Sequence, residues 1–208
     1  MDRRNFLLSA GAYSLPIPSS DTMHFRVLRN GNPIGEHFMQ FKPSGNDLTI
    51  SIAASLLVTF AGITVFRYAV KAQEIWQNGV FQRIDSAVNF NGTPLEVHAE
   101  RNANGYSVQG TRVQPYLAPS NLLPLTYWNK AMINGTILNI QTAHSYPVTV
   151  NSPGWDALPT ATGGTITAQR FDLSGKLRLS IWYDQNNSWS GLEFQKSGDI
   201  SYQKYLES

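Results

Sequence analysis

From Ile63 to Gly92, apolar residues recur at every second position. Phe66, Tyr68, Val70, Ala72 and Trp76 share one parity, while Arg67, Lys71 and Gln73 take the other. Successive strand residues face opposite sides, so this pattern predicts a strand with one buried and one wet face. A helix would need apolar residues three and four apart, which fits worse. Asn78-Gly79 predicts a two-residue hairpin, because both central residues of a type I′ turn need positive φ. Val80, Ile84 and Val88 continue the apolar face on the return strand. Glu74 interrupts that face. It reads as a carboxylate at a sheet margin or paired with a neighbouring strand, with a ligand contact as the alternative.

The same period extends both ways along the chain. Met23, Phe25 and Val27 open a first strand, and Asn30-Gly31-Asn32-Pro33 turns it into Glu36 to Lys42. There Phe38 and Phe41 fall on different faces, so the alternation is imperfect. Leu48, Ile50, Ile52, Ala54, Leu56, Val58 and Phe60 form the longest regular run. A strand of that length needs curvature or a bulge to remain in one sheet. Leu95, Val97 and Ala99 follow Asn91-Gly92, and Asn104-Gly105 makes a further turn. Met23 to Gln109 therefore predicts an up-and-down meander of about seven strands, since sequential strands joined by tight turns are usually neighbours.

The pattern breaks between Gln114 and Asn134. Pro115, Pro119 and Pro124 exclude a regular central strand. Thr126 can cap a short helix over Tyr127 to Ile133, and this segment is expected to cross one end or face of the sheet. Short strands resume at Ile137 to Ile140 and Tyr146 to Val150. Asn151 to Thr162, with two prolines, reads as a loop. Strands are again expected over Thr165 to Phe171, Leu177 to Tyr183, Trp189 to Phe194 and Ile200 to Leu206. The predicted class is all-β and mainly antiparallel, with residues 22–208 as a single β domain.

Composition narrows the function. The 208 residues carry only 14% charged side chains and a formal charge of +2, too weak a field to steer nucleic acid. There are no cysteines, which excludes disulfides, thiolate metal sites and a cysteine nucleophile. Asp2-Arg3-Arg4-Asn5-Phe6-Leu7 resembles the twin-arginine export motif. A mildly apolar segment follows to Ile17, shorter than the about 20 apolar residues that a membrane span requires. Residues 1–21 thus read as an export-signal-like segment, with an ordinary basic N-terminus as the alternative. Export would place the protein in the periplasm, with a mature chain starting between Tyr13 and Asp21 and no membrane-spanning element.

Three stretches carry a family resemblance. They are Ala61-Gly62-Ile63-Thr64-Val65-Phe66-Arg67-Tyr68 with Glu74-Ile75-Trp76-Gln77-Asn78-Gly79, then Leu125-Thr126-Tyr127-Trp128-Asn129, then Ser174-Gly175 with Ile181-Trp182-Tyr183-Asp184 and Gly191-Leu192. Together they resemble an uncharacterised bacterial family, the domain of unknown function numbered 6134. The family has no established activity, so the resemblance supplies no catalytic residues. It implies exported β-rich proteins similar in shape to the lipoprotein-carrier fold. In that fold a curved sheet forms an open half-barrel with one or two short helices as a cover over its concave face. The Pro-rich segment around Trp128 is the natural cover here.

Candidate chemistry is sparse. None of His24, His37, His98 and His144 pairs with another ligand at metal spacing, and each is expected to face solvent from a strand. His24 and His37 are the pair that could meet across the first hairpin. No Gly-x-Ser-x-Gly elbow and no phosphate-binding glycine loop occurs, so no cofactor, metal or catalytic residue is assigned. Glu74, Asp85, Glu96, Glu100, Asp184 and Glu193 could supply a glycosidase pair only if two converge across a cleft. The aromatics read first as core packing, since they dominate core area, with an apolar cavity between sheet and cover as the sharper alternative. Ile52, Phe66, Tyr68, Trp76, Trp128 and Leu179 are the expected apolar lining. The leading expectation is a periplasmic module that binds or carries an apolar ligand, a lipid or a lipidated protein. A non-catalytic envelope structural or interaction protein comes next, and a hydrolase using a carboxylate pair is third.

Overall fold

The computed structural model describes residues 15–206. The Arg3-Arg4 motif of the export-signal-like segment lies outside the described residues. Leu15 and Ile17 pack against the main core.

Eight strands run as an antiparallel meander: β1 (Thr22–Arg29), β2 (Asn32–Ser44), β3 (Asp47–Phe60), β4 (Ile63–Gln77), β5 (Val80–Phe90), β6 (Thr93–Asn102), β7 (Gly105–Gly110) and β8 (Val113–Ala118). Three short strands follow, β9 (Leu122–Pro124), β10 (Thr136–Leu138) and β11 (Ser145–Pro147). Then come β12 (Thr149–Pro159), β13 (Thr165–Ser174), β14 (Leu179–Tyr183), β15 (Trp189–Gln195) and β16 (Asp199–Lys204). Thirteen strands form one sheet in the order β12-β13-β14-β15-β16-β1-β2-β3-β4-β5-β6-β7-β8. The last strand pairs antiparallel with the first, Val27 opposite Tyr202. The two meanders thus join into one continuous sheet, with free edges at β8 and β12, so it is not closed into a barrel.

The alternation read from the sequence sets the inner face. Leu48, Ile50, Ile52, Ala54 and Leu56 of β3 are all buried, and Val70, Ala72 and Trp76 join them from β4. Asn78 and Gly79 take φ of 50° and 75°, the geometry that the Asn-Gly turn predicts. The curvature that long strands require enters as bulges, at Val58/Thr59 between β3 and β4 and at Ile75/Trp76 between β4 and β5. At Gly35 a Cβ would fall 1.9 Å from the Ser55 carbonyl oxygen, so only glycine permits this close approach of β2 to β3.

Two local readings are corrected. The helix expected over Tyr127 to Ile133 is only a 3-10 turn, Lys130–Asn134, capped by Asn129 rather than Thr126. Tyr127 has φ of +73°, which a helix cannot include, and that kink sends Trp128 into the core. The loop expected after Asn151 is instead most of β12, which runs to Pro159. β12 is an edge strand, where a proline need not donate to the ladder.

Candidate functional site

The cover consists of β9, the 3-10 turn, β10 and β11. β10 pairs parallel with β9 and antiparallel with β11, giving a three-stranded sheet. Its main anchor is Trp128, fully buried against Phe41 and Trp76 in edge-on ring contacts. The Trp128 indole N–H donates to Glu74 Oε2 at 3.1 Å, and Trp76 donates to the same oxygen at 2.8 Å. Glu74 is therefore no margin carboxylate. It is wholly buried on the inner face, and its Oε1 has no hydrogen-bond partner. Burial raises its pKa, and the Thr126, Trp76 and Trp128 side chains around it pull the other way. Two further bonds fasten the cover. Tyr183 donates its hydroxyl to the Tyr127 carbonyl, and Tyr116 donates to the Ala143 carbonyl, each at 2.7 Å.

Beside this anchor, where cover and sheet part, lies a cavity of about 90 Å³. His37, Ile52, Tyr68, Tyr127, Tyr202 and Gln141 line it, together with apolar side chains, Thr126 and Asn139. Its lining contains no side chain that is charged at neutral pH. His37 is 5% exposed and its Nε2 has no hydrogen-bond partner. Burial pulls its pKa down to about 4, so the imidazole is neutral. Burial likewise pushes the Tyr68 hydroxyl up to about 12 and raises those of Tyr127 and Tyr202, so all three phenols keep their protons. The His37 ring packs edge-on against Tyr127, Trp189 and Tyr202, at 5.4 Å from Trp189 and 5.9 Å from Tyr202. Tyr127 holds its positive φ at this point, a conformation that costs a bulky residue about 1–3 kcal/mol. The cavity offers neutral donors and acceptors on a half-apolar wall.

The residues expected to line an apolar cavity divide into three groups. Ile52 and Tyr68 do line the cavity. Trp76 and Trp128 meet at Glu74 and fill the space beside it, and Leu179 is packed in the main core. Phe66 is half-buried in a smaller cluster around Val27, Leu56 and Ile200. His37 was expected to face solvent, and its burial corrects that. Met39 and Phe41 share its parity on β2 and are buried, and that parity is the signal that would have placed it inside. Nor do the two histidines of the first hairpin face each other: His37 lies opposite Phe25 and His24 opposite Phe38. Trp182 and Trp189, which flank the Asn186-Asn187 turn, are both buried, while Trp155 on the edge strand is exposed.

A second feature lies on the outer face. Gln73, Asp85, His98 and Gln109 form one row across β4 to β7 and line an open groove of about 700 Å³. His98 Nδ1 lies 2.7 Å from Asp85 Oδ1, and Arg83 donates to Oδ2 at 2.7 Å. Burial works to raise the Asp85 pKa, but the bonds from Arg83 and His98 outweigh it and lower the pKa. Glu96 and Glu100 share this exposed face, opposite to that of Glu74. Glu74 thus shares no cleft with them, and among the described residues no cluster of three or more metal-ligating side chains occurs.

Comparison with known proteins agrees with the fold. The family model described as a domain of unknown function, DUF6134, matches residues 25–204. No curated protein matches. Among solved structures, the chain is similar to a beta-barrel-like protein of the domain of unknown function DUF1849 from Brucella abortus. The TM-score is 0.56 at 8% identity, covering 88% of this chain and 95% of the other.

Proposed function

We propose, from the premise that this chain belongs to the DUF6134 family, that it is an exported, non-catalytic binding module whose ligand site is the cavity beneath the cover. One observation carries the reading: the unpartnered Nε2 of His37, buried beside three tyrosines in a half-polar cavity. A buried polar atom without a partner costs about 1–3 kcal/mol, and a ligand hydroxyl or carbonyl would recover it. In the closed form the cavity takes a small neutral polar group, on the scale of about three waters at roughly 30 Å³ each. It is smaller than the roughly 300–1,000 Å³ of drug-sized sites. An apolar chain or a lipidated partner, the ligand class that the half-barrel shape suggests, enters only with the cover displaced and its polar end at His37. The twin-arginine-like motif at Arg3-Arg4 supports a periplasmic location for such a module.

The test is native mass spectrometry of the protein purified from its own cells, followed by organic extraction. A reproducible adduct that is lost in His37→Leu supports the reading. A clean apo mass, with no thermal shift against a panel of short-chain alcohols, amides and fatty acids, overturns it in favour of a structural or interaction protein. That second reading rests on the filled core, where Trp76, Trp128 and Trp189 occupy the space that a wide ligand tunnel would need. The hydrolase reading has least support, since Glu74 stands apart from the outer-face carboxylates and Asp85 among them is already bonded to Arg83 and His98.

A further inference from the structure

β3 and β4 are the longest strands of the sheet, and their hairpin continues past the ladders to both neighbours. The ladder with β2 ends at Gly35 opposite Leu56, and the ladder with β5 ends at Phe90 opposite Tyr68. Beyond those points the two strands pair only with each other, Leu57 with Arg67 at the base, then Val58 with Phe66 and Phe60 with Ile63 within Leu57–Phe66. At about 3.3 Å per residue this two-stranded ribbon reaches roughly 13 Å past the last residues paired with β2 and β5. It contains no charged residue. Leu57, Phe60, Ile63 and Val65 are 45%, 76%, 69% and 52% exposed. These four are neighbours on one short ribbon, whereas exposed apolar residues normally occur singly.

The base of the ribbon is basic. Arg67 follows the ribbon directly, its backbone N–H donating to the Asn91 side chain. Phe66 contacts Phe90 edge-on, and the Lys196 ammonium lies 4.8 Å from the Phe90 ring centre. Arg29, the last residue of β1, donates to the Ser197 carbonyl next to Lys196. Asp199, two residues from Ser197, accepts from Gln195. An uncharged apolar tip with Arg29, Arg67 and Lys196 toward its base matches the layered chemistry of an anionic bilayer surface. A protein groove would cover one side of a ribbon, whereas these side chains are bare around the tip.

We propose that the Leu57–Phe66 ribbon docks this protein on an anionic lipid surface. Phe60 and Ile63 reach the acyl boundary, while Arg29, Arg67 and Lys196 meet lipid phosphates. The free backbone edges of the strands stay at headgroup depth, where water satisfies them. This is independent of the cavity.

The experiment is co-sedimentation of the full chain with sonicated vesicles, either pure phosphatidylcholine or with a third of phosphatidylglycerol. Wild type should pellet with the anionic vesicles at least tenfold better than with the neutral ones, and less so at high salt. Phe60→Ser with Ile63→Ser should lose that binding while keeping wild-type near-ultraviolet dichroism. Lys196→Gln, which leaves the tip intact, should weaken binding about fivefold. No pelleting of wild type, or unchanged pelleting of the double variant, overturns the proposal. So does a wild-type dimer, seen by sedimentation velocity without vesicles, that the double variant converts to monomer, because the ribbon is then an interface between copies.

Discussion

Trp128 of the cover and Glu74 of β4 are joined by a buried hydrogen bond, the indole N–H donating to Oε2 at 3.1 Å. Trp76 donates to the same oxygen, so one carboxylate oxygen ties cover and sheet together. Trp128→Phe removes the donor and keeps most of the ring. It should cost about 1–3 kcal/mol in denaturant unfolding. Combined with Glu74→Gln the losses should fail to add by at least about 0.5 kcal/mol, because both variants cut the same contact. Additive losses would mean that the indole N–H contributes nothing through Glu74.

The carboxylate also sets a pH dependence. Burial raises the Glu74 pKa, so the folded state holds a proton that the unfolded chain releases. Its contribution is full below the unfolded carboxylate range and is lost as pH rises toward the folded pKa. Melting temperature measured against pH should therefore fall over that window in wild type relative to Glu74→Gln. A constant difference between the two proteins would show that Glu74 ionises as freely when folded as when unfolded.

His37 acts with the opposite sign. Its pKa drops from 6.5 to about 4 on burial, so the unfolded chain binds the extra proton. Stability from the neutral imidazole is present above about pH 6.5 and is lost as pH falls to about 4, a swing of about 3 kcal/mol. Acid unfolding followed by tryptophan fluorescence should show this step, and His37→Gln should flatten it. A nuclear magnetic resonance titration placing the imidazole near its ordinary pKa would remove the basis for both this step and a neutral ligand contact.

The fold was far more legible than the site. Strict alternation from Leu48 to Leu56 and four Asn-Gly turns fixed most of the meander, because a period of two has one structural meaning when the turns agree. The cover was legible only as an interruption. Its geometry depends on the positive φ of Tyr127, and no local pattern announces that for a tyrosine. Residue type misplaced the two buried polar groups. Glu74 and His37 sit at apolar parity on β4 and β2, and parity was the better guide because their burial is set by the strand, with desolvation expressed in their pKa values instead. The apolar lining failed to come together as one cavity for a related reason. Large aromatics such as Trp76 and Trp128 fill the space between the layers that smaller side chains would have left open.

The seat of the cover can be tested where its backbone comes closest. A Cβ built on Gly110 of β7 would lie 2.4 Å from the Cβ of Ala143, the buried residue whose carbonyl takes the Tyr116 hydroxyl. Gly110→Ala should therefore push the 141–144 turn off the sheet, at a cost of about 1–3 kcal/mol, in the range of overpacked cores. Ala143→Gly removes the opposing methyl and suits a residue with φ of 60°, where glycine is free of strain. The double variant should then recover most of the loss in urea unfolding. Hydrogen exchange should report the same reversal locally, with faster exchange in residues 136–147 in Gly110→Ala and protection restored in the pair. If Gly110→Ala is instead neutral, the turn gives way freely, and the cover can shift at this edge without disturbing the Glu74 anchor.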